Sequence, residues 1–142
     1  MGARRLGRER ALQALYQLEQ DPKLTVTMAL ESSWAASSEE ETPRDGEAET
    51  FALELARGVQ EHRQEIDALL EHHSLNWRLD RMQRIDRNVL RIGVFELMHL
   101  ADIPRKVTIN EAIELGKTFG NEDSSSFING LLDRIAIAVH KP

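Results

Sequence analysis

Val107-Thr-Ile-Asn-Glu-Ala-Ile-Glu-Leu-Gly-Lys-Thr-Phe-Gly120, followed after two residues by Asp123-Ser-Ser-Ser-Phe-Ile-Asn-Gly-Leu-Leu-Asp133, reads as two capped helices joined by a short polar turn. Thr108 and Glu111 stand at capping-box spacing, where hydroxyl and carboxylate satisfy each other's orphan amides. Gly120 predicts a left-handed C-cap for the first helix, and Asp123 or Ser124 predicts a cap for the second. Beyond it Phe127, Ile128, Leu131, Leu132, Ile135 and Val139 recur at helical spacing and predict a core stripe.

The same period extends upstream. Residues 83–100 carry Ile85, Val89, Leu90, Ile92, Val94, Phe95, Leu97 and Met98, an apolar face wide enough for the middle of a bundle. Pro104 stops that helix. Further helices are predicted over 4–19, 26–36 and 48–72, with a short turn at 79–82. Gly58 weakens the middle of the third by about 1 kcal/mol relative to alanine. Residues 37–47, acidic and broken by Pro43 and Gly46, read as a solvated loop. No strand-period run appears. The expected fold is all-α: a compact single-domain bundle of about six to seven helices, in two helical subdomains at about 1–74 and 75–142.

A chain of 142 residues can bury roughly 70% of its unfolded surface without staples. The absence of cysteine excludes disulfides and thiolate chemistry. No secretory leader and no run of membrane-spanning length is visible, so a cytoplasmic protein is expected. The net charge of −6 argues against nucleic acid only as a total, because its distribution is uneven. Residues 1–20 hold four arginines against two acids, whereas 21–62 hold ten acids against three bases. Phosphate affinity depends on such local patches.

The five histidines form no His-x-x-x-His pair, and no His/carboxylate cluster stands at ligand spacing, so no metal site is predicted. Ser124-Ser-Ser126 lacks the glycine elbow and a marked base, and reads as a capping cluster. Neither an enzyme nor a cofactor is expected. Arg4, Arg5, Arg8 and Arg10 cluster at a helix start; the arrangement suits phosphate recognition and equally suits a solvated terminus. Phe119 and Phe127 flank the polar turn that holds Asp123. Such a turn can stack unpaired bases and accept from a base edge, while each phenylalanine also fits a core position.

Ala11-Leu-Gln-Ala-Leu-Tyr16, Asp86-Arg-Asn-Val-Leu-Arg91, Ile109-Asn-Glu-Ala112 and Phe127-Ile-Asn-Gly130 together resemble the NusB transcription antitermination factors, over essentially the whole chain. The resemblance implies a small all-helical protein that binds the boxA element of ribosomal RNA leader transcripts as single-stranded RNA. It implies action with NusE, a small-subunit ribosomal protein, to help RNA polymerase read through terminators. By position it assigns an arginine-rich RNA surface to Arg4, Arg5 and Arg8, with Tyr16 behind, and a second RNA surface to Arg91, Phe119, Asp123 and Phe127. Asp86 falls on the NusE-facing side. Two departures stand out: Leu6 and Gly7 interrupt the arginine tract, with the glycine weakening the helix start, and the acidic stretch 39–49 has no aligned counterpart.

A competing expectation is a NusB-fold protein-interaction module, monomeric or homodimeric, with little intrinsic RNA binding. NusB-like domains also precede ribosomal RNA cytosine methyltransferases, but this chain shows no dinucleotide-type glycine loop and no cysteine nucleophile.

Overall fold

The computed structural model describes residues 2–36, 45–75 and 78–142. Most of the expected acidic loop, and part of the break around Ser74, lie outside the described residues. Among the described residues the secondary structure is entirely helical: α1 (Ala3–Gln20), α2 (Val26–Ala35), α3 (Gly46–Glu61), α4 (Arg63–His73), a 3-10 turn (Leu79–Arg81), α5 (Arg84–His99), α6 (Arg105–Phe119) and α7 (Ser124–Ala138). The chain divides into two units, Met1–Gly58 and Val59–Pro142, whereas the sequence reading divides it near residue 74. The difference lies with α4, whose Ile66 and Leu70 are fully buried and which packs against α5 and α7.

In the first unit, α1 buries Leu6, Ala11, Leu12, Ala14, Leu15 and Leu18, and packs against α2. Thr25 caps α2 by accepting the amide of Met28 at 3.1 Å, and Asp45 caps α3 by accepting that of Glu47 at 2.8 Å. Gly7 is a contact residue rather than a flaw in the helix start. A Cβ there would lie 3.0 Å from the Phe51 ring and 3.1 Å from the Ala48 carbonyl, so its absence lets α1 approach α3.

In the second unit, α5 is the central element, buried continuously from Asn88 to Leu97 and packed against α4, α6 and α7. Its wide apolar face matches the sequence expectation. Gly93 and Gly116 admit Leu132 and Ile128 of α7, since an added Cβ would approach a methyl group of each to 2.8 Å. Ile128, Leu131, Leu132 and Ile135 are fully buried, while Phe127 and Val139 at the ends of the predicted stripe are half-buried.

Three local expectations are corrected. The predicted helix over 48–72 is two helices, broken at His62, whose φ of −107° and ψ of 19° are not helical. Six consecutive polar residues, Gln60 to Glu65, provide no apolar face to hold one helix through the joint. The Thr108/Glu111 capping box does not form. Helix α6 begins four residues earlier, with Pro104 at its N-cap, and the buried Thr108 hydroxyl donates to Glu96 of α5 at 2.8 Å. Finally, Gly120 leaves α6 extended, with φ −94° and ψ −163°, rather than left-handed. Ser124 folds over it, accepting the amide of Asn121 at 3.0 Å, and fills the space a Cβ would need.

Candidate nucleic-acid and partner interface

The arginine tract of α1 divides according to its helical phase. Arg4 and Arg5 are exposed, whereas Arg8 is only 3% exposed. The guanidinium groups of Arg4 and Arg8 lie over the Phe51 ring, 5.2 and 5.3 Å from its centroid. This is cation–π distance. Arg10 is also buried: it lies 5.3 Å from the Trp34 centroid and donates to Gln13 Oε1 at 2.8 Å. Burial lowers the Arg10 pKa, and neighbouring Glu9 opposes that shift. Its role in packing was invisible in sequence, where all four arginines look alike. Tyr16 is half-buried on the same helix. Arg4 and Arg5 therefore present the exposed guanidinium groups of the tract, and Arg8 is placed inside.

In the second unit, a cleft of about 340 Å³ brings Asp86, Asp123 and Phe127 together with Arg81, Met82, Gln83 and Asn121. The turn 120–123 shapes it. Asn121 accepts the Asp123 amide at 2.9 Å, and Asp123, at the N-cap position of α7, makes no side-chain cap bond. Ser124 rather than Asp123 is occupied with the turn, so the Asp123 carboxylate stays exposed in the cleft. Phe127 is half-buried there, and half-buried Phe119 closes α6 just before the turn.

Asp86 lies in the first turn of α5 and is only 7% exposed. Its Oδ1 has no hydrogen-bond partner among the described residues. The positive end of the helix dipole favours an anion at that position, but a buried acceptor still calls for a donor.

Arg91 is placed elsewhere. It is 3% exposed, and its fork grips Asp67 of α4, with Nε to Oδ1 at 2.8 Å and Nη2 to Oδ2 at 3.1 Å. A third bond reaches Asn88 at 3.2 Å. The fold thus joins Asp86, Asp123 and Phe127 in one cleft and ties Arg91 into the joint between α4 and α5. Sequence reasoning missed Asn121 and Arg81 as cleft residues. The polar turn signalled Asn121, and nothing local signalled Arg81. No helix among the described residues is long and apolar enough to cross a membrane.

A central helix buried from Asn88 to Leu97 and a polar, aromatic cleft at the start of the last helix define a small all-helical binding protein. The chain belongs to the NusB family, whose family model matches residues 5–137. It is 68% identical over 142 residues to the transcription antitermination protein NusB of Myxococcus xanthus (strain DK1622), with both chains covered in full. Its fold is similar to that of T. maritima NusB, with a TM-score of 0.83 and 38% identity over 96% of this chain and 92% of that one. It is also similar to a chain in a crystal structure of the antitermination factors NusB and NusE in complex with dsRNA, with a TM-score of 0.83 and 27% identity over 97% and 98% of the two chains.

Proposed function

We propose that this chain acts in transcription antitermination: with NusE it binds the boxA RNA of ribosomal RNA leader transcripts in the cytoplasm and promotes read-through by RNA polymerase. It acts by binding, with no chemical step and no cofactor. The observation that carries this reading is the cleft where Phe127 and Asp123 stand beside Asp86, whose buried Oδ1 has no donor among the described residues. An unsatisfied buried acceptor costs about 1–3 kcal/mol, and a turn of the carboxylate toward a partner's N–H on docking removes that cost. This supports Asp86 as a NusE contact. A chain of similar fold solved with NusE and dsRNA supports the same class of partners here.

Phe119 and Phe127 serve as stacking platforms, each worth about 1–3 kcal/mol per base, and Asp123 accepts from a base edge. Arg4 and Arg5 contact phosphate, and Tyr16 completes the surface on α1. Arg8 and Arg91 act as positioning residues, the first through Phe51 and the second through Asp67.

The test is a gel shift with boxA-like single-stranded RNA, with and without NusE, across a salt series. Binding is expected to tighten with NusE, and Phe119→Ala to weaken it by about 1–3 kcal/mol at unchanged helicity. A loss of helicity that RNA affinity merely follows would make Phe119 a core residue. Asp86→Asn is expected to weaken NusE association while leaving binding to RNA alone unchanged. The Asp86 oxygen also favours a second reading, a protein-interaction module with little RNA affinity of its own. No detectable shift of boxA-like RNA by this chain alone at low salt, with NusE association intact, would decide for that reading.

A further inference from the structure

The geometry points to a transition-metal site in the second unit formed by His62, Glu65 and His99, none of which lines the cleft of Asp86, Asp123 and Phe127. Sequence spacing predicts no such site because His99 lies 34 residues from Glu65. The local signal was His62 and Glu65 three residues apart, which places both within one turn at the start of α4. The third donor becomes a neighbour only when α4 packs against α5.

One ring nitrogen from each histidine and one carboxylate oxygen from Glu65 lie within 4.8 Å of one another. His99 Nε2 is already 2.9 Å from Glu65 Oε1, and the His62 ring stacks on the His99 ring with centroids 4.0 Å apart. On one tetrahedral ion, donors at the usual bond lengths of about 2.0–2.2 Å stand roughly 3.3 Å apart. Closing from the observed spacing moves the donor atoms by about an ångström and turns the stacked rings toward a common point.

The surroundings favour a fixed site with an open face. Buried Phe95 lies beside both rings, its centroid 6.0 Å from that of His62 and 5.4 Å from that of His99. His62 is half-buried at the joint between α3 and α4, and its carbonyl accepts the Ile66 amide at 2.9 Å. His99 is the last residue of α5, where the negative end of the helix dipole favours a cation. Glu65 and His99 are exposed, which provides an entry path and room for water at the remaining coordination positions.

Two imidazoles with one carboxylate is a donor set for Zn²⁺, and for Co²⁺ or Ni²⁺ as substitutes. Mg²⁺ and Ca²⁺ select all-oxygen shells instead. A bound ion would clamp the start of α4 to the end of α5 and raise the stability of the second unit.

The test uses the full chain after treatment with a chelator. Zn²⁺ is titrated calorimetrically and by thermal shift, and Co²⁺ by its visible absorption; Mg²⁺ serves as the control. Expected are one Zn²⁺ per chain, a Tm that rises with Zn²⁺ but not with Mg²⁺, and a Co²⁺ spectrum of four- or five-coordinate type. Glu65→Gln and His99→Ala, shown by circular dichroism to remain folded, should each weaken Zn²⁺ by more than about tenfold. The double variant His72→Ala/His73→Ala should bind as the unaltered chain does. Absence of stoichiometric Zn²⁺ binding would overturn the proposal. So would binding that survives both site variants, or that disappears with His72 and His73.

Discussion

At Gly7 the backbone of α1 passes Phe51 so closely that a methyl group would meet the ring and the Ala48 carbonyl at 3.0–3.2 Å. The carbonyl belongs to a helix and cannot turn aside, and the Phe51 ring is buried near two guanidinium groups. Overpacking of this kind costs about 1–3 kcal/mol, against the roughly 1 kcal/mol that alanine gains over glycine within a helix. Gly7→Ala is therefore expected to destabilise the chain by about 1 kcal/mol net, read from the urea midpoint at unchanged slope. A gain in stability would show that α1 has room to move. Arg91 supports a second prediction. Asp67→Ala removes the carboxylate that its buried fork grips, and the expected loss is about 3 kcal/mol. Unchanged stability would mean that Arg91 is not held by this pair and is available for another role.

At the scale of elements, the buried Thr108 hydroxyl links α6 to α5 through Glu96, which is 1% exposed. Thr108→Val keeps the shape, removes that donor, and should cost about 1–3 kcal/mol in a denaturation experiment. The 3.6-residue period made the helices legible, α5 above all, because an apolar face is written locally. The capping box misled because its letters are local while the demand on Thr108 comes from Glu96, twelve residues upstream and in another helix. The break at His62 was legible as six polar residues but was hidden by apolar residues on either side. The site divided in the same way. Phe127 and Asp123 followed from their turn, whereas the burial of Arg8 depends on Phe51, far off in sequence. The α4–α7 contact adds a pH prediction. Arg134 of α7 donates to the His73 carbonyl at 3.2 Å, and burial, then His72 and Arg134, lower the His73 pKa. The folded chain thus resists a proton that the unfolded chain accepts at the ordinary histidine value of about 6.5. Stability should fall as the pH drops below that value and through the lowered one, and His73→Gln should flatten the slope.

For the whole molecule, a net charge of −6 sets a repulsive background for RNA, so any affinity must come from a few local cations and from stacking. This makes the salt dependence diagnostic. Each phosphate contact with a single strand contributes about −0.7 to the slope of log K against log salt. Arg4 and Arg5 are exposed on α1, whereas Arg8 is buried against Phe51. The double variant Arg4→Ala/Arg5→Ala should therefore flatten the slope by about 1.4, with a smaller loss of thermal stability than Arg8→Ala causes. Arg8→Ala should do the reverse: it removes a packed guanidinium, lowers stability, and leaves the slope as it was once the folded fraction is taken into account. Phe127→Ala should lower affinity without altering the slope, because stacking releases no counterions. Equal slopes for the unaltered chain and the Arg4/Arg5 variant would remove phosphate recognition from α1. The cleft of the second unit would then be the only RNA-binding surface in this reading.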